Sequence, residues 1–168
     1  MDEVELATQR RRRVSVGIAL AVVLAIALFV LLPRTVASGG EGDGSWRLRI
    51  TPVAVGPQIV LDHASGRQTA GDSGLGSTAL DGTVVWHVGS GDEAVTVVAG
   101  ATPGGATSVR VTSDEFGVGE AALHRIGWRR FHVERLPGHV EVTELVAIGP
   151  AGRVLEVLRD PPAPVPVP

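Results

Sequence analysis

The chain has 168 residues, a net charge of −3 at pH 7 and no cysteine, and its 15 basic residues are all arginine. This length accommodates one domain of ordinary size plus short additional segments. The lack of cysteine excludes a disulfide framework, a thiolate metal site, a catalytic cysteine and a lipid-bearing cysteine anchor.

An apolar segment near the N-terminus predicts a membrane-spanning helix. Residues 14–32 are 19 residues without a charged side chain. As a helix they would span about 28 Å, close to the roughly 30 Å hydrocarbon core of a bilayer. Four arginines, at positions 10–13, precede the segment, and only Arg34 follows it closely. This asymmetry predicts that residues 1–13 form a cytoplasmic tail and that the remainder lies outside the cytoplasm.

Two further interpretations of this segment stay open. Thr35, Val36 and Ala37 form an acceptable cleavage context, so the alternative is a signal peptide whose removal releases a secreted domain. The apolar run is longer than the usual core of a signal peptide, which favours an uncleaved anchor. Small residues recur at every fourth position and make candidate helix-association positions, because this spacing lets two membrane helices approach closely. They are Gly17, Ala21 and Ala25.

A glycine-rich tether, residues 33–45, is expected to connect the span to an outer domain at residues 46–160. In the outer domain apolar and polar residues alternate with period two, which is typical of half-buried strands. The alternation is clearest at 46–51, 83–88, 108–112 and 130–134, and weaker strands are expected at 58–62, 94–98, 118–125, 139–148 and 153–159. Between Val142 and Leu145 the apolar phase shifts, which predicts a β-bulge near Thr143 and Glu144.

Short strands separated by Gly, Pro and Asp turns, without a convincing helical pattern, predict an all-β fold. We expect a single antiparallel β-sandwich of the immunoglobulin-like type, preceded by the one transmembrane α-helix. A closed barrel is the alternative architecture. Residues 161–168 contain five prolines and predict a tail that is extended or disordered.

The pattern of potentially reactive residues gives little indication of catalysis. Residues 71–74, Gly-Asp-Ser-Gly, resemble the nucleophile motif of chymotrypsin-like serine proteases, with His63 upstream of Ser73 as the base. That family places the two residues on separate barrels with the third triad member between them, whereas only ten positions separate them here. We expect no catalytic residues, and a serine hydrolase is kept as a remote alternative.

Metal binding is not expected either. His124 and His132 could lie on neighbouring strands if Gly127 forms part of a hairpin turn, and His139 could then join them. Zinc usually needs three or four converging ligands with supporting partners, and the linear spacing indicates no such set. No metal and no cofactor are therefore predicted.

One locally basic and partly aromatic patch is the best local candidate for partner binding. From Thr35 onward the chain has ten arginines and fifteen acidic residues, a net charge of −5, which argues against nucleic-acid binding. Within this acidic region five neighbouring residues form the basic patch, and guanidinium groups suit carboxylate and phosphate partners. They are Arg125, Trp128, Arg129, Arg130 and Arg135.

Residues 103–157 are similar to the outer domains of uncharacterised single-pass membrane proteins of actinobacteria. The resemblance is carried by Gly-Ala-Thr-Ser-Val-Arg-Val at 105–111, by Phe-His-Val-Glu-Arg-Leu-Pro-Gly at 131–138, and by Ala-Ile-Gly-Pro-Ala-Gly-Arg-Val-Leu at 147–155. The same order of strand, turn and hairpin recurs in immunoglobulin-like modules of bacterial surfaces. The resemblance implies an envelope location and a sandwich fold, and it implies no catalytic residues.

Together these observations predict a membrane-anchored, extracytoplasmic interaction module of the bacterial cell envelope. It would bind a protein or cell-wall partner without catalysis. The alternative is an accessory subunit of a membrane complex that signals or docks through its transmembrane helix. Thirteen inner residues are too few for a folded output domain, so signalling would run through that helix.

Overall fold

A computed structural model describes residues 18, 20–23, 32–40, 45–51, 58–64, 66–71, 79–126 and 129–167 of the chain. They belong to two compact units, Met1–Leu32 and Pro33–Pro168. In the first unit residues 18 and 20–23 are helical. No helix within the described ranges is long and apolar enough to cross a membrane. Most of the predicted span, with Gly17 and Ala25, lies outside the described residues, while Ala21 is helical and exposed.

The second unit is built from β-strands, which confirms the predicted all-β class. Among the described residues, short 3-10 helices at Ala79–Gly82, Gly91–Glu93 and Pro150–Gly152 lie between strands. The described strands are β1 (Arg34–Gly39), β2 (Trp46–Thr51), β3 (Gln58–His63), β4 (Gly66–Gly71), β5 (Val84–Val88), β6 (Val95–Thr102), β7 (Ser108–Ser113), β8 (Gly117–Ile126), β9 (Arg129–Pro137), β10 (Val142–Ile148), β11 (Val154–Arg159) and β12 (Val165–Val167).

These strands form two sheets. The smaller sheet is a meander in the order β1-β2-β3-β4, and the larger one has the order β11-β10-β7-β8-β9-β6-β5-β12. All neighbouring strands pair antiparallel except β12, which runs parallel to β5. The long strand β8 joins two parts of the larger sheet, because residues 117–121 pair with β7 and residues 122–126 pair with β9.

Two hydrophobic cores lie on opposite sides of β5, β6 and β9. The first core packs Trp46, Leu48 and Ile50 of the smaller sheet against the larger sheet, including Trp86 and Phe131. The second core lies on the other face; its members include Leu80, Val85, Val98, Val109, Val111, Leu136, Leu145 and Ala147. Since strands from both ends of the larger sheet contribute to it, that sheet folds back on itself around the second core.

The sequence pattern explains the positions of most strands. In β2 the apolar residues of the alternation are buried and Arg47 is exposed, as a half-buried strand requires. β6 is buried along nearly its whole length, because it lies between the two cores. The nine strands expected from the sequence correspond to β2, β3 and β5–β11. The predicted bulge is confirmed by a register shift between Val142 and Glu144 where β10 pairs with β7.

The structure differs from the prediction at both ends of the outer domain. Residues 34–39, predicted as part of the tether, form β1 and pair with β2. Residues 165–167, predicted as part of an extended or disordered tail, form β12. The compact unit is therefore Pro33–Pro168 rather than residues 46–160. The physical reason is the same at both ends: each segment covers the open edge of a strand that would otherwise expose unpaired backbone groups.

Candidate functional site

A cleft of about 530 Å³ opens on the β5 side of the second core. Its volume falls within the roughly 300–1,000 Å³ typical of ligand sites. β5, the β7–β8 turn, the β9–β10 connection and the segment after β11 all contribute to it. Its described lining residues, referred to below as the cleft, are Val85, His87, Asp114, His139, Glu141, Val142, Asp160, Pro161, Pro162, Ala163 and Pro164.

Two stacked imidazoles form one wall of the cleft. Strand alternation sends Trp86 and Val88 into the first core, so His87 faces the opposite side. The rings of His87 and His139 lie parallel, with centroids 4.6 Å apart and planes 4° apart. His87 Nε2 donates a hydrogen bond to the carbonyl oxygen of Val140 at 3.2 Å. In the neutral ring Nδ1 is then an acceptor.

Three residues with carboxylate side chains line the cleft, namely Asp114, Glu141 and Asp160. The backbone N–H of Glu141 donates to Asp114 Oδ1 at 3.1 Å, and the N–H of Asp114 donates to the Glu141 carbonyl at the same distance. These bonds fix the β7–β8 turn against the β9–β10 connection. No arginine is among the described lining residues, so the cleft presents negative charge, imidazole rings and proline to a ligand. Carboxylates accept strong, charge-assisted hydrogen bonds from ammonium and guanidinium groups.

The predicted basic patch is divided between two faces of the β8–β9 hairpin. Arg125 lies directly opposite Arg130, so both side chains project from one face. Arg129 and Arg135 lie an even number of positions from Phe131 on β9. Their side chains therefore project from the other face of the hairpin, the one from which Phe131 enters the first core. Trp128 lies outside the described residues. The structure thus brings Arg125 and Arg130 together and separates them from the other two arginines.

Two of these arginines make specific contacts within the domain. An Arg130 guanidinium N–H donates to the backbone carbonyl of Ala106. The guanidinium carbon of Arg135 lies 5.9 Å from the centroid of the Trp46 ring, a cation–π distance. Trp46 is buried in the first core. Both side chains therefore contribute to the packing of the outer domain.

The histidines considered for metal binding are not brought together. His124 lies opposite Phe131 and His132 lies opposite Leu123, so their side chains project from opposite faces of the hairpin. His132 is fully buried and its Nε2 is hydrogen-bonded to Thr83 Oγ1 at 3.2 Å. Burial lowers the pKa of His132 to about 4, against a weaker opposing effect of the Ala101 backbone. Over the described ranges, no three His, Asp or Glu side chains form a group that could hold a metal.

The candidate base and nucleophile of a serine hydrolase, His63 and Ser73, lie only partly within the described residues. His63 is the last residue of β3, opposite Trp46 and Gly66. Ser73 belongs to the part of the chain that the structure does not describe. The serine-hydrolase alternative stays untested on this point.

Sequence reasoning did not identify the cleft. Its members come from separate stretches of the chain between Val85 and Pro164, and no linear spacing relates them. The sequence contains one partial indication of the cleft, because the alternation in β5 places His87 on the face opposite Trp86. Comparison with protein-family models, with curated proteins and with solved structures gives no match to this chain.

Proposed function

We propose that this chain is an interaction module of the bacterial cell envelope, held in the membrane by residues 14–32. Its outer domain would bind a protein or cell-wall partner without catalysis. The observation that carries the proposal is the acidic cleft, which combines ligand-sized volume with three carboxylates and a stacked imidazole pair. This chemistry suits recognition of a cationic group on the partner, such as a lysine or arginine side chain or an amino group of the cell wall.

Strand β1 supports an uncleaved anchor over a cleaved signal peptide. Cleavage after Ala37 would divide β1 and remove Val36 and Ala37, which pack against the first core. The cleaved domain would expose much of the edge of β2 that β1 covers. An exposed strand edge favours aggregation, so retention of the N-terminal segment is the interpretation more consistent with a stable outer domain.

The proposal keeps only part of the predicted immunoglobulin-like fold. Residues of the two sheets share the first core, and a core shared between two sheets supports a sandwich-like arrangement. The smaller sheet is a four-strand meander, whereas immunoglobulin domains connect their strands as Greek keys. The proposed likeness to immunoglobulin-like modules therefore concerns how the domain binds: the segments that connect its strands contact the partner.

Site-specific photocrosslinking in native membranes tests the proposed function. A photoreactive phenylalanine analogue replaces His139, an exposed residue at the cleft, in the full chain. A matched control carries the analogue at Arg153, an exposed residue that does not line the cleft. We expect a discrete adduct from position 139 and none of the same size from position 153.

Removing negative charge from the cleft distinguishes specific binding of the partner from random contact. The double substitution Asp114→Asn and Glu141→Gln removes two of the three negative charges and keeps the side-chain shapes. We expect it to reduce the adduct from position 139 by about tenfold, the effect of losing roughly 1.4 kcal/mol of binding free energy. An adduct that forms equally well in the doubly substituted chain, or no adduct from position 139, would contradict binding in the cleft.

A further inference from the structure

Two arginines and a buried threonine lie side by side at one end of the second core. Thr102 is directly opposite Arg130, and Arg130 is directly opposite Arg125. The three residues, referred to below as the arginine row, cross β6, β9 and β8 and project their side chains from one face. Val98 on β6 and Leu136 on β9 share this face, because each lies an even number of positions from the row, and both belong to the second core. The row is the last one on this face before the β8–β9 turn.

The hydroxyl of Thr102 is a buried polar group that the neighbouring residues do not satisfy. Thr102 is 8% exposed, and its Oγ1 has no hydrogen-bond partner within the described part of the chain. A buried hydroxyl without a partner is costly, whereas an apolar side chain of the same shape avoids that cost. Exceptions of this kind call for an explanation, such as a bound ion. The hydroxyl therefore indicates an acceptor that comes from outside these residues.

Two positive charges lie directly opposite each other beside this hydroxyl. Such a pair of like charges on neighbouring strands destabilises a sheet. Arg130 is held in place, because its guanidinium group donates to the Ala106 carbonyl at 2.5 Å, in the turn between β6 and β7. A guanidinium group has five N–H donors, so this bond leaves others available to a ligand. A negatively charged ligand between the two arginines would replace their repulsion with attraction.

The carboxylates of β6, β8 and β9 do not lie beside the arginine row. They are Glu120 and Glu134. Glu120 is five positions from Arg125, an odd number, so its side chain projects from the other face of β8. Glu134 is four residues from Arg130, roughly 13 Å along the strand. A Cβ added at Gly119 would lie 3.6 Å from Glu134 Oε1, which places this carboxylate near the opposite end of β8 from the row.

We infer that the arginine row binds a phosphate group. The Thr102 hydroxyl donates to one phosphate oxygen, and the guanidinium groups of Arg125 and Arg130 donate charge-assisted hydrogen bonds to the others. Neighbouring strands lie about 4.8 Å apart, so Thr102 and Arg125 are roughly 10 Å apart, and a phosphate seated over Arg130 lies within reach of both. A phosphate group offers three strong acceptor oxygens, one for each side chain of the row. The row shares no residue with the cleft, so this site does not rest on the function proposed above.

Equilibrium dialysis with radioactive inorganic phosphate tests the site on the full-length chain in detergent micelles. Thr102→Val removes the hydroxyl and keeps the shape of the side chain, and Arg125→Gln removes one charge. With chloride holding the ionic strength constant, we expect saturable binding of phosphate to the natural chain. Each substitution should lower the association constant by about tenfold, the effect of losing one charge-assisted hydrogen bond.

Two controls separate loss of the site from general effects of charge and folding. Arg153→Gln removes an exposed charge from the turn before β11 and should bind phosphate as the natural chain does. Urea unfolding in chloride should show that Thr102→Val is at least as stable as the natural chain, because the hydroxyl has no partner there to lose. A less stable Thr102→Val chain would show that the hydroxyl is satisfied within the domain, and would overturn the inference.

A competing probe identifies the source of the phosphate. Glycerophosphoglycerol, a soluble phosphodiester, competes with the labelled phosphate in the same dialysis. Stronger competition than by unlabelled inorganic phosphate would assign the site to a phosphodiester such as a lipid headgroup, and equal or weaker competition would assign it to free phosphate or a monoester. Absence of saturable binding, or equal binding by the natural chain and Thr102→Val, would reject the site. An equal loss of binding in Arg153→Gln would reject it too, because the attraction would then depend on overall charge.

Discussion

At the scale of single residues, a buried histidine links the stability of the outer domain to pH. Burial lowers the pKa of His132 from 6.5 to about 4, because a charged imidazole loses its hydration inside the protein. The unfolded chain binds a proton as the pH falls below about 6.5, whereas the folded domain does so only near pH 4. The free energy of unfolding therefore decreases between these two values, by up to about 3 kcal/mol, and this contribution is fully present above pH 7.

Chemical denaturation at pH 7.5, 6 and 5 measures this effect. We expect His132→Gln to flatten the pH dependence, because glutamine does not titrate. The Thr83→Val variant removes the hydrogen-bond partner of the imidazole but leaves the ring buried, so it should retain the steep slope of the natural chain. If His132→Gln kept the natural slope, another group would be responsible for the acid sensitivity.

A glycine opposite the same histidine permits its close packing. Gly100 pairs with His132 across β6 and β9, and a Cβ added there would lie 2.7 Å from His132 Cε1 and 2.9 Å from Thr83 Cα. We expect Gly100→Ala to lower the free energy of unfolding by about 1–3 kcal/mol, since overpacking forces neighbouring atoms to move.

Gly104→Ala is the matched control for this prediction. A Cβ at Gly104 meets no atom within 4 Å, and the residue lies exposed in the turn between β6 and β7. Its unfolding free energy should remain within about 0.5 kcal/mol of the natural chain. Urea unfolding of both variants at pH 7.5 makes the comparison. Equal effects of the two substitutions would show that the contact at Gly100 is not the cause.

At the scale of elements, the strands that the sequence did not predict are all edge strands. β1 and β4 are the two edges of the smaller sheet, and β12 is an edge of the larger one. An edge strand has one free side and often carries small or polar residues or proline. The apolar alternation that located the central strands is therefore weak in Arg-Thr-Val-Ala-Ser-Gly, Gly-Arg-Gln-Thr-Ala-Gly and Val-Pro-Val.

Although its sequence shows little apolar alternation, β1 should contribute measurably to the stability of the outer domain. It pairs with β2 along most of its length, and Gly39 packs closely against the Trp46 ring. We expect a chain that begins at Gly40 to be less stable than a chain that begins at Pro33 by about 2–4 kcal/mol, from lost hydrogen bonds and apolar burial. Urea unfolding followed by tryptophan fluorescence measures the difference. Coincident unfolding curves would show that β1 is dispensable.

At the scale of the whole molecule, local patterns predicted the β class and most strands but not their assembly. Nothing in the linear spacing shows that β8 pairs with both β7 and β9, or that two cores result. The nearly continuous apolar run in β6 was the strongest indication in the sequence that this strand lies between two cores. A strand that is buried on both faces has apolar residues at successive positions instead of an alternation of apolar and polar residues. The cleft depends on the same long-range assembly: His87 and His139 stack although 52 positions separate them.

The orientation of the whole chain across a membrane is the last expectation, and the lack of natural cysteine makes it simple to test. Thr8→Cys places a thiol in the predicted cytoplasmic tail, and Arg153→Cys places one on an exposed turn of the outer domain. Since positive flanks remain inside, a membrane-impermeant maleimide should label position 153 and not position 8 in intact spheroplasts. Both positions should react after the membrane is permeabilised. Labelling of position 8 in intact spheroplasts would reverse the predicted orientation, and recovery of the Arg153→Cys chain in the medium rather than the membrane would favour the cleaved, secreted form.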